Sequence, residues 1–152
     1  FSLPTVAAVG GQLLYPDGNV QFGGVGLKRF PKVGDHGWYH IGQPHTVGHS
    51  SLAQCSFFAH SLTCASAIIR KDVFIKVCGF EEIYTPIGFS DASLFLKVRS
   101  LGFNLVYCSD SISYHHESVS RGTAYIDDFE SNYSSNLSNS LITGNLSVEV
   151  AS

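Results

Sequence analysis

The chain has 152 residues, of which 44% are hydrophobic and 14% are charged, and its formal net charge is -3. This composition suits one domain with a packed core and excludes a chain that is disordered throughout. The nine basic residues form no run, which argues against a nucleic-acid partner, and no apolar run approaches the roughly 20 residues that cross a bilayer.

The first predicted elements are two strands joined by a tight turn. Residues 5–15, TVAAVGGQLLY, are apolar and rich in small side chains, which is typical of a buried strand. The PDG of residues 16–18 predicts a hairpin turn, because proline presets φ and glycine supplies a positive φ. Residues 19–27 then predict a second strand with glycine breaks. Residues 28–51 are rich in Gly, Pro and His and predict a loop.

The middle of the chain predicts a strand followed by two helices. We expect a strand over residues 65–69 and a short helix over residues 71–77, which Gly79 stops. Ser90 is the expected N-cap of the second helix, and Asp91 lies in its first turn, where a negative charge favours the helix dipole. Gly102 ends this helix. Four apolar residues recur along it at helical spacing: Leu94, Phe95, Val98 and Leu101.

Residues 103–108 and 111–115 predict two further strands. The order of strands and helices indicates a mixed α/β domain over residues 1–125. Residues 126–152 are poor in apolar side chains and rich in Ser and Asn, and we expect a weakly ordered tail there. The chain contains no Met, from which we expect an internal piece of a longer protein.

Four cysteines, Cys55, Cys64, Cys78 and Cys108, lie among apolar residues, and no pair has the spacing of a zinc or redox motif. We expect reduced, buried thiols in a cytoplasmic protein, although the sequence alone leaves disulfides open.

Three stretches follow one another along the chain: VAAVGGQLLYPDGNVQFGGV, LTCASAIIRKDVFIKVCGFEE and FSDASLFLKVRSLGFNLVYCSDSISYHHESVSRG. In this order they resemble the C-terminal half of family-2 glycosyltransferases of the rhamnosyl and O-antigen type. The resemblance covers roughly residues 5–122, apart from most of residues 28–60. It implies the acceptor-side half of a mixed-sheet GT-A fold. The DxD motif of the donor-binding half would lie upstream, so we expect the chain alone to be inactive.

The same resemblance implies the partners of the complete enzyme. They are a nucleotide-sugar donor, a glycan or lipid-linked acceptor, and a divalent Mn²⁺ or Mg²⁺ ion that also needs the DxD half. The expected location is the cytoplasm, with peripheral association at the inner membrane face as the other option.

The resemblance also assigns site residues. Asp91 matches the general base of an inverting transfer, which takes the proton of the acceptor hydroxyl; the alternative is a helix-start residue without another task. His115, rather than His116, matches the metal ligand. Ser118, Ser120 and Arg121 match a diphosphate-binding stretch or, equally, a solvated loop. The matches to the acceptor region are Thr63, Ala65, Phe80, Glu81 and Ser90.

Departures from the family pattern leave a second hypothesis open. Cys64 stands where the family has glycine, Glu81 where it has aspartate, and Ser93 where it has an acidic residue. A non-catalytic carbohydrate- or partner-binding relative would keep the fold and lack the chemistry. A third hypothesis is a zinc-binding loop, because four histidines recur in the glycine-rich segment: His36, His40, His45 and His49.

Overall fold

The computed structural model describes residues 3–29, 36–40, 51–85 and 88–116, together with the separate residues 132, 133, 136 and 139. The strands are β1 (Val6–Leu14), β2 (Val20–Phe22), β3 (Val25–Arg29), β4 (His36–His40), β5 (Phe57–Ala59), β6 (Ala67–Ile69) and β7 (Asn104–Tyr114). The helices are α1 (Lys71–Lys76) and α2 (Ser90–Ser100), and two short 3₁₀ turns cover Leu52–Gln54 and Cys64–Ser66. The mixed α/β class predicted from the sequence is confirmed for these residues.

The main sheet is built around β1. Strand β7 runs parallel to β1 along nearly its whole length. On the other side of β1, β6 pairs antiparallel with its first half and β2 with its last two residues. Strand β5 pairs antiparallel with β7 and forms the far edge. The parallel pair brings the carboxyl ends of β1 and β7 to the same edge of the sheet, where open α/β sheets place their binding sites.

The predicted turn between β1 and β2 is confirmed. The N–H of Gly18 donates to the carbonyl of Tyr15 at 2.9 Å, and Gly18 has a φ of 85°. The side chain of Asp17 accepts from the N–H of Asn19 at 2.9 Å. These contacts are the local chemistry that makes this segment a hairpin.

The predicted second strand, residues 19–27, is two strands in different sheets. Gly24, with a φ of 94°, separates β2 in the main sheet from β3 in a two-stranded sheet. The partner of β3 is β4, so the prediction of a loop throughout residues 28–51 is wrong for residues 28–29, which end β3, and for residues 36–40. Trp38 and Tyr39 within β4 favour a strand, but the glycines, prolines and histidines of the surrounding segment favour a loop, and pairing with β3 decides for the strand.

Helix α1 begins at Lys71 as predicted and ends at Lys76, one residue before the predicted end, whereas α2 differs from the prediction at its start. Helix α1 is followed by Cys78 and Gly79, with φ of 58° and 65°. The predicted strand over residues 65–69 begins as a 3₁₀ turn and becomes a strand only at Ala67. The predicted N-cap of α2, Ser90, is instead its first helical residue. Phe89 takes the cap position without a side-chain hydrogen bond, a difference of one residue that is common at helix ends.

The two predicted strands at residues 103–108 and 111–115 form one continuous strand, β7, with a local irregularity. Gly11 pairs with Cys108 and the next residue, Gln12, pairs with Ile112, so three residues of β7 bulge from the ladder. A Cβ on Gly11 would lie 2.5 Å from the carbonyl oxygen of Ser111. The bulge therefore requires a residue without a side chain at position 11.

The core lies between the sheet and α2. Leu94, Phe95 and Val98 of α2 are buried, as the helical spacing predicts, and they join Leu105 and Tyr107 of β7 in one apolar cluster. The hydroxyl of Tyr107 donates to the Ala53 carbonyl at 2.7 Å, which satisfies the polar atom of a fully buried ring.

The four cysteines form no disulfide. The expectation of buried thiols is wrong for Cys55 and Cys78, which are exposed, whereas Cys64 and Cys108 are partly buried. Among the described residues, no helix has the length and apolar character that crossing a membrane requires.

Candidate active site

Asp91, in the first turn of α2, is tied to the segment that precedes β6. Its Oδ2 atom accepts the backbone N–H of Cys64 at 2.9 Å and the hydroxyl of Thr63 at 3.1 Å. The Thr63 hydroxyl oxygen also accepts the N–H of Ala65 at 3.4 Å and so caps the 3₁₀ turn. Two donors on one oxygen fix the carboxylate and leave Oδ1 outside these two hydrogen bonds.

Two cavities meet at Asp91. The first has a volume of about 310 Å³ and is lined by Phe80, Glu81, Glu82, Thr85, Ser90 and Asp91. The second has a volume of about 120 Å³ and is lined by Phe22, Val25, Ser61, Leu62, Thr63, Gly88, Phe89, Asp91 and Ala92. The structure thus gathers Thr63, Phe80, Glu81, Ser90 and Asp91 around one carboxylate. Ala65 joins this group through its backbone N–H, while its side chain is exposed.

One wall of the larger cavity is the loop of residues 79–85. The Phe80 ring packs edge-on against Phe74 of α1, with 5.8 Å between centroids. The buried Thr85 hydroxyl donates to the Glu81 carbonyl at 3.2 Å. Tyr84 stacks on Tyr133 from the C-terminal segment, with 5.0 Å between their ring centroids. The loop that forms this wall is therefore held by contacts within itself, with α1 and with Tyr133, which is distant in sequence.

Cys64 lies beside the Asp91 carboxylate, and its thiol stays protonated. Burial is the main cause that raises the pKa of Cys64, and the negative charge of Asp91 and a hydrogen bond to it raise that pKa further. The site therefore contains a neutral thiol next to a carboxylate, and Cys64 is not a candidate nucleophile.

His115 follows the last residue of β7 and lies at the carboxyl end of the parallel strands. Its N–H donates to the Leu14 carbonyl at 2.9 Å, and its Nδ1 lies 2.9 Å from Oε1 of Gln21. Because an amide oxygen accepts, Nδ1 is the donor in this hydrogen bond, and in the neutral ring Nε2 then carries the lone pair. Such a hydrogen bond on the other ring nitrogen is common for a histidine that binds a metal.

The fit to a complete metal site is limited to this one ligand. Among the described residues, no group of three or more His, Cys, Asp or Glu side chains could hold an ion. His116 is exposed. His36 and His40 lie on β4, while His45 and His49 fall outside the described residues, so the zinc-loop hypothesis gains no support from them. Ser118, Ser120 and Arg121 also fall outside the described residues.

The sequence did not predict most residues of the smaller cavity, nor several polar residues around the larger one and around His115. Glu82 and Thr85 line the larger cavity, Gln21 orients His115, and Lys97 donates to the Gly79 carbonyl at 2.6 Å. Only Gln21 could have been suspected from the sequence, because it is a polar residue between two apolar neighbours in a predicted strand. The structure shows that it is buried. Glu82 follows a predicted site residue, but nothing in its neighbourhood separates it from a solvated side chain.

Comparison with known proteins gives two relatives and no matching family model. The uncharacterized protein y4gI of Sinorhizobium fredii (strain NBRC 101917 / NGR234) is 37% identical over 120 residues, which cover 78% of this chain and 13% of that protein. The O-antigen biosynthesis protein RfbC of Myxococcus xanthus is 34% identical over 120 residues, 78% of this chain and 9% of that protein. The chain spans about a tenth of the length of these curated relatives. A segment similar to this α/β unit therefore occurs in much longer proteins.

Proposed function

We propose that this chain is the acceptor-binding and base-carrying part of an inverting, metal-dependent family-2 glycosyltransferase with a GT-A fold. The reaction would move a sugar from a nucleotide-sugar donor to a glycan or lipid-linked acceptor during polysaccharide biosynthesis in the cell envelope. The observation that carries the proposal is the position of Asp91, held by Thr63 and Cys64 where two cavities meet. The motif order and the O-antigen biosynthesis relative support it.

In the proposed step, an acceptor hydroxyl attacks the anomeric carbon of the donor. The new carbon–oxygen bond forms on one face as the bond to the diphosphate breaks on the other, so the configuration inverts. Asp91 Oδ1 takes the hydroxyl proton, because Oδ2 already accepts two hydrogen bonds. The nucleoside diphosphate leaves with the electron pair of the broken bond. A base in this position contributes typically about 10²- to 10⁴-fold in rate.

The lining of the larger cavity suits a sugar acceptor. Glu81 and Glu82 offer carboxylate oxygens that accept from sugar hydroxyls, and the Phe80 ring offers an apolar surface for the C–H face of a sugar ring. Ser90 and Thr63 border the same carboxylate and add hydroxyl groups. The cavity volume of about 310 Å³ lies at the lower end of the range of ligand sites.

The donor side of the proposal depends on residues beyond those described. His115 would supply one ligand through Nε2 to Mn²⁺ or Mg²⁺, and Ser120 and Arg121 would bind the diphosphate. The ion, when bound, would offset the negative charge of the leaving diphosphate. Within this chain, Gln21 holds the His115 ring in the orientation and tautomer that leave Nε2 available. The proposed location is the cytoplasm or the inner membrane face, where a lipid-linked acceptor is presented.

The test is transfer by the full-length polypeptide that contains this chain. It would be supplied with UDP-, GDP- or dTDP-sugars, Mn²⁺, and glycan or lipid-linked acceptors, and the anomeric configuration of the product would be read by NMR. We expect transfer with inversion. Transfer with retention would contradict the role of Asp91. Acceptor binding without transfer for any donor would instead identify a non-catalytic binding module.

A further inference from the structure

We propose that Lys97 is a positioning residue that fixes the wall of the larger cavity relative to Asp91. The proposal rests on the function proposed above, since it concerns the same cavity. Lys97 lies on α2, the helix that carries Asp91, and its ammonium donates to the Gly79 carbonyl at 2.6 Å. Gly79 directly precedes Phe80, Glu81 and Glu82, which line the cavity. One hydrogen bond therefore connects the helix of the proposed base to the loop that faces it.

The backbone at this connection is strained. Cys78 has a φ of 58°, which lies in the left-handed region that disfavours any residue with a side chain. Gly79 follows with a φ of 65°. Their N–H groups donate to Ile75 and Phe74 of α1, both at 3.0 Å. Such a turn persists when surrounding contacts hold it, and the hydrogen bond from Lys97 is one such contact that comes from α2.

The burial of Lys97 agrees with this role. Loss of solvent lowers the pKa of the ammonium, while the nearby Glu81 and Cys78 act in the opposite direction. Lys97 is partly buried, and the Gly79 carbonyl gives its ammonium a strong acceptor within the protein. The carboxylate of Glu81 lies close enough to attract the same ammonium.

The experiment compares Lys97→Met, which keeps the aliphatic stem, with Lys97→Arg, which keeps a cationic donor. Lys76→Met in α1 is the matched control, because Lys76 is an exposed cation near the same turn. Hydrogen exchange of the full chain is followed at the N–H groups of Cys78 and Gly79 and, for comparison, at Ser93 in α2, which donates to Phe89. We expect Lys97→Met to speed exchange at Cys78 and Gly79 by about tenfold, the scale of one lost charged hydrogen bond, without a change at Ser93. Lys97→Arg should restore most of the protection, and Lys76→Met should change nothing.

In the full-length polypeptide, Lys97→Met should raise the acceptor KM by about tenfold while kcat and the donor KM stay within a few-fold, the pattern of lost acceptor binding alone. Unchanged exchange at Cys78 and Gly79, or an equal rise at Ser93, would overturn the positioning role. The positioning role would also be overturned if Lys97→Met speeds hydrogen exchange at Cys78 and Gly79 but leaves the acceptor KM at its wild-type value. The exchange result stands by itself if no transfer is found, so failure of the proposed function is distinguishable from failure of this inference.

Discussion

Gln21 and His115, 94 residues apart in sequence, share a hydrogen bond of 2.9 Å that joins β2 to the end of β7. Strand β1 lies between these two strands, and its last residue, Leu14, accepts the backbone N–H of His115. The histidine is therefore fixed by its ring and by its backbone at the carboxyl edge of the sheet. Phe22, next to Gln21, lines the smaller cavity with Asp91, which connects the two parts of the proposed site.

From this arrangement we predict that His115→Ala in the full-length polypeptide raises the Mn²⁺ concentration needed for half-maximal transfer. His116→Ala should have a smaller effect, because His116 is exposed. Gln21→Ala should weaken metal affinity by about 10- to 100-fold, as loss of an orienting hydrogen bond typically does. Equal metal dependence of the His115 and His116 variants would show that His115 is not the ligand.

A second prediction concerns Asp91→Asn. The amide oxygen can still accept the N–H of Cys64, so the fold should remain and the unfolding free energy should fall by only about 0.5–1.5 kcal/mol. The amide cannot take a proton, so kcat should fall by about 10²- to 10⁴-fold with little change in the donor KM. Ser93→Ala, at a buried position of the same helix, is the control and should leave kcat nearly unchanged. A variant that keeps more than about a tenth of the wild-type kcat would make Asp91 a structural residue.

A third prediction uses the protonated thiol of Cys64. Iodoacetamide at pH 8 should modify the exposed Cys55 and Cys78 well before Cys64, because the reactive species is the thiolate. Asp91→Asn should speed the modification of Cys64 in part, since it removes the negative charge but not the burial. Peptide mass spectrometry with time would measure each site. Modification of Cys64 as fast as that of Cys55 would contradict the assigned environment.

The same raised pKa predicts a sign for the stability profile. Below the ordinary thiol pKa of 9.0, Cys64 is protonated in both the folded and the unfolded chain and contributes no pH dependence. Above it, the unfolded chain loses the proton first, so the free energy of unfolding should fall as the pH rises. Chemical denaturation from pH 7 to pH 10 should show a steeper alkaline decline for wild type than for Cys64→Ala.

A fourth prediction compares two glycines that both have positive φ. Gly18→Ala should cost about 1–2 kcal/mol, because its φ is 85° but an added Cβ meets nothing within 4 Å. Gly24→Ala carries similar strain, and its Cβ would also lie 2.7 Å from the ring of Phe57, which packs against Tyr107. It should lose roughly 1–3 kcal/mol more. Thermal unfolding measures both; equal losses would mean that the Phe57 ring moves aside freely.

Local signals in the sequence account for much of the fold. Three features depend on neighbours within a few residues and could be predicted: the turn at residues 16–18, the stop of α1 before Gly79 and the apolar spacing of α2. Strand β4 could not, because the glycine- and proline-rich segment around it favours a loop and its partner β3 supplies the pairing. From the sequence, the bulge at residues 109–111 predicts a break between two strands, since only the pairing with β1 shows that β7 continues through it.

The candidate site, too, could be predicted only in part from the sequence. The resemblance singled out Asp91, Thr63 and Phe80, but that they face one cavity depends on the packing of α2 against the turn before β6. Lys97 could not be found from sequence, because a lysine in the second half of an amphipathic helix is normally a solvated residue. Its acceptor, the Gly79 carbonyl, lies 18 residues earlier in the chain.

The parallel pairing of β1 with β7 has a consequence for how this domain reaches its native state. The paired residues run from Val6 with Asn104 to Leu14 with Tyr114, so the central ladder joins segments about 100 residues apart. During synthesis, β1 would leave the ribosome early and remain without its main pairing partner until β7 had also been synthesised. Domains dominated by such distant contacts fold slowly. A nascent chain stopped after α2 would lack the strand that completes the sheet, so we expect it to be a substrate for chaperones or proteases rather than a stable intermediate.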